Sequence, residues 1–139
     1  MISNKTKEKI VGSINIPSDK SISHRSIIIP SISMGVSEIN NLLMSDDVMH
    51  TLNAFKTLGV KIEETNGKII IYGKGLNSLK KPNKNIYLGN SGTSARLLTG
   101  LLASQKFDSV LEGDNSLSTR PMARIMDPLN LMGAKFENV

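Results

Sequence analysis

The sequence has 139 residues, of which 39% are apolar and 21% charged, and it contains no cysteine. Such a composition is typical of a folded globular protein, because disordered chains carry fewer large aliphatic side chains. The lack of cysteine excludes disulfides, thiolate catalysis and Cys-ligated zinc. No apolar run approaches the roughly 18 to 20 residues of a membrane span, and no apolar stretch follows the basic N-terminus. We therefore expect a cytoplasmic protein without a membrane partner.

Lysine and arginine number 17 against 12 acidic residues, which gives a net charge of +5. A positive chain can bind small anions or nucleic acid, but nucleic-acid surfaces usually combine a basic stripe with aromatic side chains. Here the lysines are dispersed and aromatic residues make up only 4%. We therefore predict no nucleic-acid partner. All four arginines lie at or near the helix starts predicted below, where a guanidinium can bind phosphate or carboxylate: Arg25, Arg96, Arg120 and Arg124.

The first half of the chain begins with a predicted strand and helix. Residues 8–16 alternate between polar and apolar side chains, which predicts a strand that stops at Pro17. Residues 21–34 have helical periodicity, with a kink expected at Pro30 and an end at Gly35. Four isoleucines are expected on or near the apolar side of this helix: Ile22, Ile28, Ile29 and Ile32. Residues 36–42 then predict a short strand.

A second helix is predicted from Ser45, as N-cap, to Gly59, with apolar residues at helical spacing: Val48, Leu52 and Phe55. Asp46 and Asp47 lie in its first turn, where we expect them to complement the helix dipole rather than to act as a catalytic pair. Two β-rich runs follow, joined by Asn66-Gly67, which favours a type I′ hairpin turn.

Residues 73–85 are rich in Gly, Asn, Lys and Pro, and they predict a connector. The pattern then restarts with a strand at 86–88, a turn at 89–94, a helix at 95–103 and a strand at 109–111. A last helix is expected to start at Pro121 and to end at Gly133. Its apolar stripe is expected at Met122, Ile125, Leu129 and Met132.

The two halves are related by an internal repeat. Residues 58–63 (LGVKIE) match residues 132–137 (MGAKFE) 74 positions later, and Arg25 matches Arg96 71 positions later. We therefore predict an α/β fold made of tandem α+β repeats, each a strand-helix-strand-helix-hairpin unit. Repeat one is expected at about 16–75, the connector at about 73–85 and repeat two at about 86–139. The second unit is expected to be incomplete, because the sequence ends after the first arm of its hairpin.

Three stretches place cations or glycines at a predicted helix start, where free N–H groups and the helix dipole attract anions. The first contains Lys20, Ser21 and Arg25, and it predicts either a phosphate or carboxylate site or a capped surface helix. In the second, residues 88–96, two glycines permit close backbone approach to a ligand. It matches no Walker or dinucleotide motif, so an ordinary turn before a helix stays open as its alternative.

The third stretch, residues 113–122, places Arg120 directly before a proline-initiated helix. Arg124, one turn later, is expected to be either a second ligand or a surface partner of Asp127. His24 and His50 have no potential ligands at metal-binding spacing, so we predict no metal site. The residues that stand out therefore point to the binding of small anions.

Taken together, residues 12–25 (GSINIPSDKSISHR), 88–96 (LGNSGTSAR) and 113–122 (GDNSLSTRPM) closely resemble the N-terminal part of the 5-enolpyruvylshikimate-3-phosphate synthase family. These are enolpyruvyl transferases of the shikimate pathway, which leads to chorismate and the aromatic amino acids. The resemblance spans nearly the whole chain and about the first third of the usual length of the family. The sister family acting on UDP-N-acetylglucosamine has a Lys-Asn pair and often a catalytic cysteine, whereas this chain has Lys20-Ser21 and no cysteine.

The resemblance implies a two-lobed protein with three repeats in each lobe and no metal or organic cofactor. It implies three groups of site residues: Lys20, Ser21 and Arg25 for shikimate 3-phosphate; Lys20, Asn90, Gly92 and Arg120 for phosphoenolpyruvate; and Thr93 and Arg96 in support of the turn. Lys20 is also a candidate for an electrostatic role in catalysis. The catalytic Asp, Glu and Lys of the family lie beyond the part that this chain matches.

We therefore expect the isolated chain to be inactive without a complementary C-terminal polypeptide, whether it is a fragment, a split-gene product or a decayed remnant. A non-catalytic fragment that binds anions or phosphate esters is the alternative, and a basic nucleic-acid-binding protein is a third and less favoured hypothesis.

Overall fold

The computed structural model describes residues 11–137. In chain order the elements are α1 (Lys20–Ile32), β1 (Met34–Ile39), α2 (Asp46–Thr57), β2 (Lys61–Thr65), β3 (Lys68–Lys74), a 3-10 turn (Leu76–Ser78), β4 (Ile86–Tyr87), α3 (Gly92–Leu102), β5 (Leu111–Glu112), α4 (Asn115–Ser118) and α5 (Ala123–Leu131). The fold is therefore mixed helix and strand, as predicted.

Two sheets organise these elements. Strands β1, β3 and β2 pair in that order as an antiparallel sheet, with β3 in the centre. Asn66 and Gly67 connect β2 to β3 with φ angles of 51° and 72°, which confirms the predicted type I′ hairpin. Strands β4 and β5 form a separate parallel pair. Their carboxyl ends therefore lie side by side at one edge.

One apolar core joins the two halves of the chain. The predicted inner face of α2 is confirmed, because Val48, Leu52 and Phe55 are almost completely buried. They belong to the same cluster as Ile71 of β3 and Leu98 of α3. Full burial of a large aliphatic or aromatic side chain contributes about 1.5–3 kcal/mol, so this shared core stabilises the association of the two halves.

The ends of α2 and α5 have matching backbone geometry. Gly59 and Gly133 have φ angles of 85° and 99°, in the left-handed region that favours glycine. At both ends, the glycine N–H donates to the carbonyl three residues earlier, and the next N–H donates to the carbonyl five residues earlier, all at 3.0 Å. These are the two hydrogen bonds of a Schellman motif. The repeat seen in the sequence is therefore also present in the backbone.

Helix α1 differs from the expectation at both ends. It begins at Lys20, because the carboxylate of Asp19 accepts a hydrogen bond from the backbone N–H of Ile22 at 2.7 Å and so caps the helix. It ends at Ile32, and Gly35 lies inside β1 instead of ending the helix. Pro30 occupies the last turn, and the helix continues past it.

The predicted isoleucine side of α1 is confirmed only in part, because Ile28 and Ile32 are half-buried against the core. Ile22 and Ile29 are 60% and 56% exposed, while Ser23, His24, Ile27 and Ser31 are buried. The two serine hydroxyls donate to the carbonyls four residues earlier, so their burial leaves no unpaired group. Small side chains whose hydrogen bonds are satisfied within the helix therefore form its buried face.

Two predicted strands are not found. Of the strand expected at 8–16, residues 8–10 lie outside the described residues, and 11–16 are unpaired, with Ile14 and Ile16 largely exposed. Residues 134–137, expected as the first hairpin arm of the second unit, form no strand either. An alternating segment becomes a strand only when a ladder partner accepts its hydrogen bonds. Neither segment has such a partner within residues 11–137.

The remaining differences concern element bounds. Strand β1 occupies 34–39 instead of 36–42, and β5 occupies 111–112 instead of 109–111. Helix α3 begins at Gly92 instead of Ala95, because the Ser91 hydroxyl accepts a hydrogen bond from the backbone N–H of Ser94 and so caps the helix. The helix expected at Pro121 begins at Ala123, after the unpredicted short helix α4, which Asp114 caps. Helix α5 buries none of its residues, and Met132, expected in its apolar stripe, is exposed.

Candidate anion-binding site

The first part of the candidate site lies at the start of α1. Lys20, the first residue of this helix, forms an ion pair with Asp47 in the first turn of α2. The Lys20 side chain is 51% exposed and that of Asp47 24%, so the pair faces solvent. Ser21 and Arg25 are exposed on the same helix. We call Lys20, Ser21 and Arg25 the α1 site.

Asp47 was expected only to complement the helix dipole, and the structure places its carboxylate against Lys20. No local sequence pattern indicates this contact, because it depends on how the starts of α1 and α2 meet. The adjacent Asp46 is exposed and forms no ion pair within the described part of the chain.

The second part lies where β4 and β5 end. Because the strands are parallel, the turn after β4 meets the segment after β5, and the N–H of Asp114 donates to the carbonyl of Gly89 at 2.9 Å. Arg120 donates through Nη2 to Oδ1 of Asn90. A Cβ placed on Gly92 would lie 2.7 Å from Nη1 of Arg120, so only glycine leaves room for the guanidinium there. We call Asn90, Gly92 and Arg120 the β4–β5 site.

Two further arginines lie near the β4–β5 site. Nη2 of Arg96 in α3 donates to the carbonyl of Pro121 at 3.0 Å, which ties this helix to the segment before α5. Thr93 is exposed in the first turn of α3. Arg124 is exposed in α5, and no ion pair joins it to Asp127 within the described residues.

A buried series of polar side chains lies between the two parts. His24 Nδ1 is 2.8 Å from Thr51 Oγ1, which is 2.6 Å from Ser94 Oγ, which in turn is 2.5 Å from Ser91 Oγ. We call these four residues the polar chain. Burial lowers the pKa of His24, a nearby Asp47 carboxylate opposes this shift and Lys20 adds to it, so the imidazole favours its neutral form.

The surface that carries these groups is open. The side chains of Lys20, Asn90 and Arg120 are exposed. Two surface cavities lie elsewhere. One is beside residues 14–17, and the other is lined by Lys56, Lys80, Lys81 and Lys84. Residues 11–137 contain no cluster of three or more His, Asp or Glu able to hold a metal ion. Within the same range, every helix is too short or too polar to cross a membrane.

The chemistry of this surface is that of anion binding. The N-termini of α1 and α3 supply free backbone N–H groups, while Lys20, Arg25 and Arg120 supply positive charge. Asp47 links the two parts, since its carboxylate pairs with Lys20 and its carbonyl lies 3.4 Å from Ser94 Oγ. Two adjacent anionic groups can therefore be held by one rigid set of helix starts.

The chain is similar to known proteins in both sequence and structure. Residues 4–138 match the sequence model of the family EPSP synthase (3-phosphoshikimate 1-carboxyvinyltransferase). The 3-phosphoshikimate 1-carboxyvinyltransferase of Ruthia magnifica is 52% identical over 96% of this chain, which corresponds to 31% of that protein. That of Listeria monocytogenes is 50% identical over 93% of this chain and 30% of its own length.

Among solved structures, EPSP synthase from Acinetobacter baumannii superposes with a TM-score of 0.87 and 50% sequence identity. The match covers 92% of this chain and 29% of that chain. The chain thus spans about 30% of the length of the relatives it matches. By sequence and by fold, the chain belongs to the EPSP synthase family.

Proposed function

We propose that this chain supplies the anion-binding part of an enolpyruvyl transferase site, in which phosphoenolpyruvate donates its enolpyruvyl group to the 5-hydroxyl of shikimate 3-phosphate. The observation that carries the proposal is the β4–β5 site at the start of α3. There the Arg120 guanidinium bonds to Asn90 and lies against Gly92, which has no side chain to displace it. Membership of the EPSP synthase family supports the choice of these two substrates.

The two sites receive one substrate each. In this proposal the phosphate of shikimate 3-phosphate lies at the start of α1, bound by Lys20, Ser21 and Arg25. Phosphoenolpyruvate lies at the β4–β5 site, where the planar guanidinium of Arg120 can hold phosphate with two parallel hydrogen bonds. Lys20, already paired with Asp47 at the border between the two sites, contacts both substrates.

Residues next to the β4–β5 site stabilise its geometry. Arg96 holds the segment before α5 through its bond to Pro121, so we assign it a positioning role. Thr93 offers a hydroxyl in the first turn of α3, next to Gly92. We assign neither residue a direct part in bond making.

The proposed reaction has two steps. The 5-hydroxyl gives its proton to a base as its oxygen bonds to the enol carbon, and a proton from an acid adds to the methylene carbon, which gives a tetrahedral intermediate. The bond to the phosphate oxygen then breaks, a proton leaves the new methyl group, and the double bond re-forms as inorganic phosphate departs. Fixed cations at the phosphate favour this departure because they stabilise the developing negative charge.

The proton transfers need acid and base groups near the reacting carbons. The carboxylate that reaches the site, Asp47, is already paired with Lys20. We therefore propose that a complementary C-terminal polypeptide, corresponding to the remainder of the relatives, supplies these groups and covers the open site. Exposed apolar side chains support such a partner: Leu131 and Met132 are 90% and 81% exposed at the end of α5. The cytoplasmic location stays a prediction.

A mixing experiment tests the proposal. The chain, the C-terminal remainder of the Acinetobacter baumannii EPSP synthase, and both together are assayed for phosphate release from shikimate 3-phosphate and phosphoenolpyruvate. We expect release only from the mixture. No release with a folded partner present would refute the catalytic proposal, and saturable binding of shikimate 3-phosphate in that case would favour the non-catalytic alternative.

Two arginine variants identify the site within the same assay. Arg120→Lys removes the planar guanidinium and should lower kcat/KM by about 10- to 100-fold, the loss expected for one charge-assisted hydrogen bond. Arg124→Lys changes an exposed arginine of α5 that forms no hydrogen bond or ion pair with the site within residues 11–137, and it should leave kcat/KM unchanged. Equal losses from both variants would contradict the assignment of Arg120.

A further inference from the structure

The buried polar residues of this chain fall into two groups. Of the seven within residues 11–137, three form side-chain bonds to the backbone: Ser23, Ser31 and Thr99. The other four bond to one another through their side chains and form the polar chain: His24, Thr51, Ser94 and Ser91. Burying a polar group is costly unless it is hydrogen-bonded, and apolar residues fill the same space without that cost. The second group therefore invites a functional explanation.

The polar chain connects three helices. His24 lies in α1, Thr51 in α2, and Ser94 in the first turn of α3, directly after its N-cap Ser91. All four side chains are 0% exposed. The carbonyl of Asp47 lies 3.4 Å from the hydroxyls of both Thr51 and Ser94, which adds a backbone contact at the centre.

Each end of the polar chain lies next to a proposed substrate site. His24 follows Lys20 by one helical turn and directly precedes Arg25 of the α1 site. Ser91 lies between Asn90 and Gly92 of the β4–β5 site. Along the backbone, residues 25–90 separate the two ends. The polar chain connects the same ends through three hydrogen bonds.

Hydrogen bonds fix a relative position that apolar packing leaves adjustable. A hydroxyl-to-hydroxyl bond weakens steeply when its length or angle changes, so a shift of α3 against α1 would break at least one of the three bonds. Apolar side chains in the same places would tolerate sliding over such distances. The neutral imidazole of His24 completes the series, and its Nε2 is buried without a hydrogen-bond partner within the described residues.

We propose that the polar chain consists of positioning residues that hold the turn at residues 89–92 in register with the start of α1, and that it thereby sets the affinity for phosphoenolpyruvate rather than the rate of the chemical steps. The ligand named here rests on the proposed function. The placement of the turn does not, and it can be measured without activity.

The first test uses NMR on the 139-residue chain without substrate. Thr51→Val removes the central hydroxyl at nearly constant volume, and Thr51→Ser keeps it. Thr99→Val is the matched control, since Thr99 is a buried threonine whose hydroxyl bonds only to its own helix. We expect Thr51→Val to shift the ring nitrogen signals of His24 and the backbone amide signals of Gly92, and Thr99→Val to leave both in place.

Thr51→Ser should restore both sets of signals. Ser94→Ala interrupts the polar chain at a second position and should have the same effect as Thr51→Val. It serves as the test if Thr51→Val does not fold. The proposal is wrong if the signals of His24 and Gly92 respond to neither Thr51→Val nor Ser94→Ala. This outcome is independent of whether the protein transfers an enolpyruvyl group.

The second test uses the mixture of the chain with its complementary polypeptide. Thr51→Val should raise KM for phosphoenolpyruvate by about tenfold while kcat changes by less than about twofold, and Thr51→Ser should return KM to its original value. Thr99→Val should change neither constant. A fall in kcat with unchanged KM would contradict the positioning role. A mixture that is inactive with the unaltered chain would instead count against the proposed function, and the NMR result would still decide the role of the polar chain.

Discussion

The close approach of Arg120 to Gly92 makes a sharp prediction for Gly92→Ala. The added methyl carbon would lie 2.7 Å from Nη1 of Arg120, where ordinary contacts begin at 3.4 Å. The guanidinium is the flexible end of a side chain and can retreat by about 0.7 Å, whereas the methyl group on α3 cannot. We expect the helix to stay in place and the bond between Arg120 and Asn90 to be lost or weakened.

The two consequences of this substitution have opposite signs. Alanine is a better helix former than glycine by up to about 1 kcal/mol, so the free energy of unfolding should stay constant or rise slightly. A displaced guanidinium loses a charge-assisted hydrogen bond to bound phosphate, which contributes about 1.5–3 kcal/mol. KM for phosphoenolpyruvate should therefore rise by about 10- to 100-fold.

Gly100→Ala is the matched control, because Gly100 lies in the same helix and a Cβ there has no atom within 4 Å. Both variants are measured by urea unfolding and, in the mixture with the complementary polypeptide, by phosphate release. We expect both to keep their stability and only Gly92→Ala to lose affinity. Equal KM values for the two variants would refute the steric reasoning, and so would a loss of affinity matched by unfolding of Gly92→Ala.

Two further predictions concern stability. A Cβ on Gly73 would collide with the backbone carbonyls of Pro30 and Ser33, which cannot move without displacing the end of α1. Gly73→Ala should therefore lower the free energy of unfolding by about 1–3 kcal/mol in urea titrations. Gly100→Ala should cause no such loss. Burial lowers the pKa of His24 from 6.5, so the unfolded chain binds a proton before the folded one does, and the free energy of unfolding should fall as the pH drops below 6.5 toward the folded-state pKa. The slope from this residue cannot exceed about 1.4 kcal/mol per pH unit, and it should disappear in His24→Asn; an unchanged pH dependence would contradict the burial of a neutral imidazole.

Elements whose signal is local were predicted well. The turn at Asn66 and Gly67 adopts the expected positive φ angles because these two residues favour them in any context. Helix α2 has its N-cap position, its first-turn carboxylates and its buried stripe in one continuous segment, although the Ser45 side chain makes no capping hydrogen bond. In both cases the residues that encode the element are also the residues that form it.

Elements that depend on a distant partner were predicted less well. The alternation at residues 11–16 predicts a strand, but the described residues offer it no ladder partner. The isoleucines of α1 indicate one side, while its buried side contains Ser23 and Ser31, whose hydroxyls are satisfied within the helix. Periodicity of apolar residues does not reveal buried polar groups that carry their own hydrogen-bond partners.

The candidate site divides in the same way. The motif stretches were visible in the sequence, and the parallel pairing of β4 with β5 brings Asn90, Gly92 and Arg120 into contact. The ion pair of Lys20 with Asp47 was missed, since it depends on two helix starts meeting in space. The polar chain was missed for the same reason.

The identical helix ends at Gly59 and Gly133 bear on how a repeated unit is inherited. Helix α2 is buried along one face and α5 buries no residue, yet the backbone leaves both helices along the same path. The geometry of each helix end is therefore determined by the residues of its last turn and does not require a packed core. The same helix end can therefore be kept in two repeats whose helices pack differently.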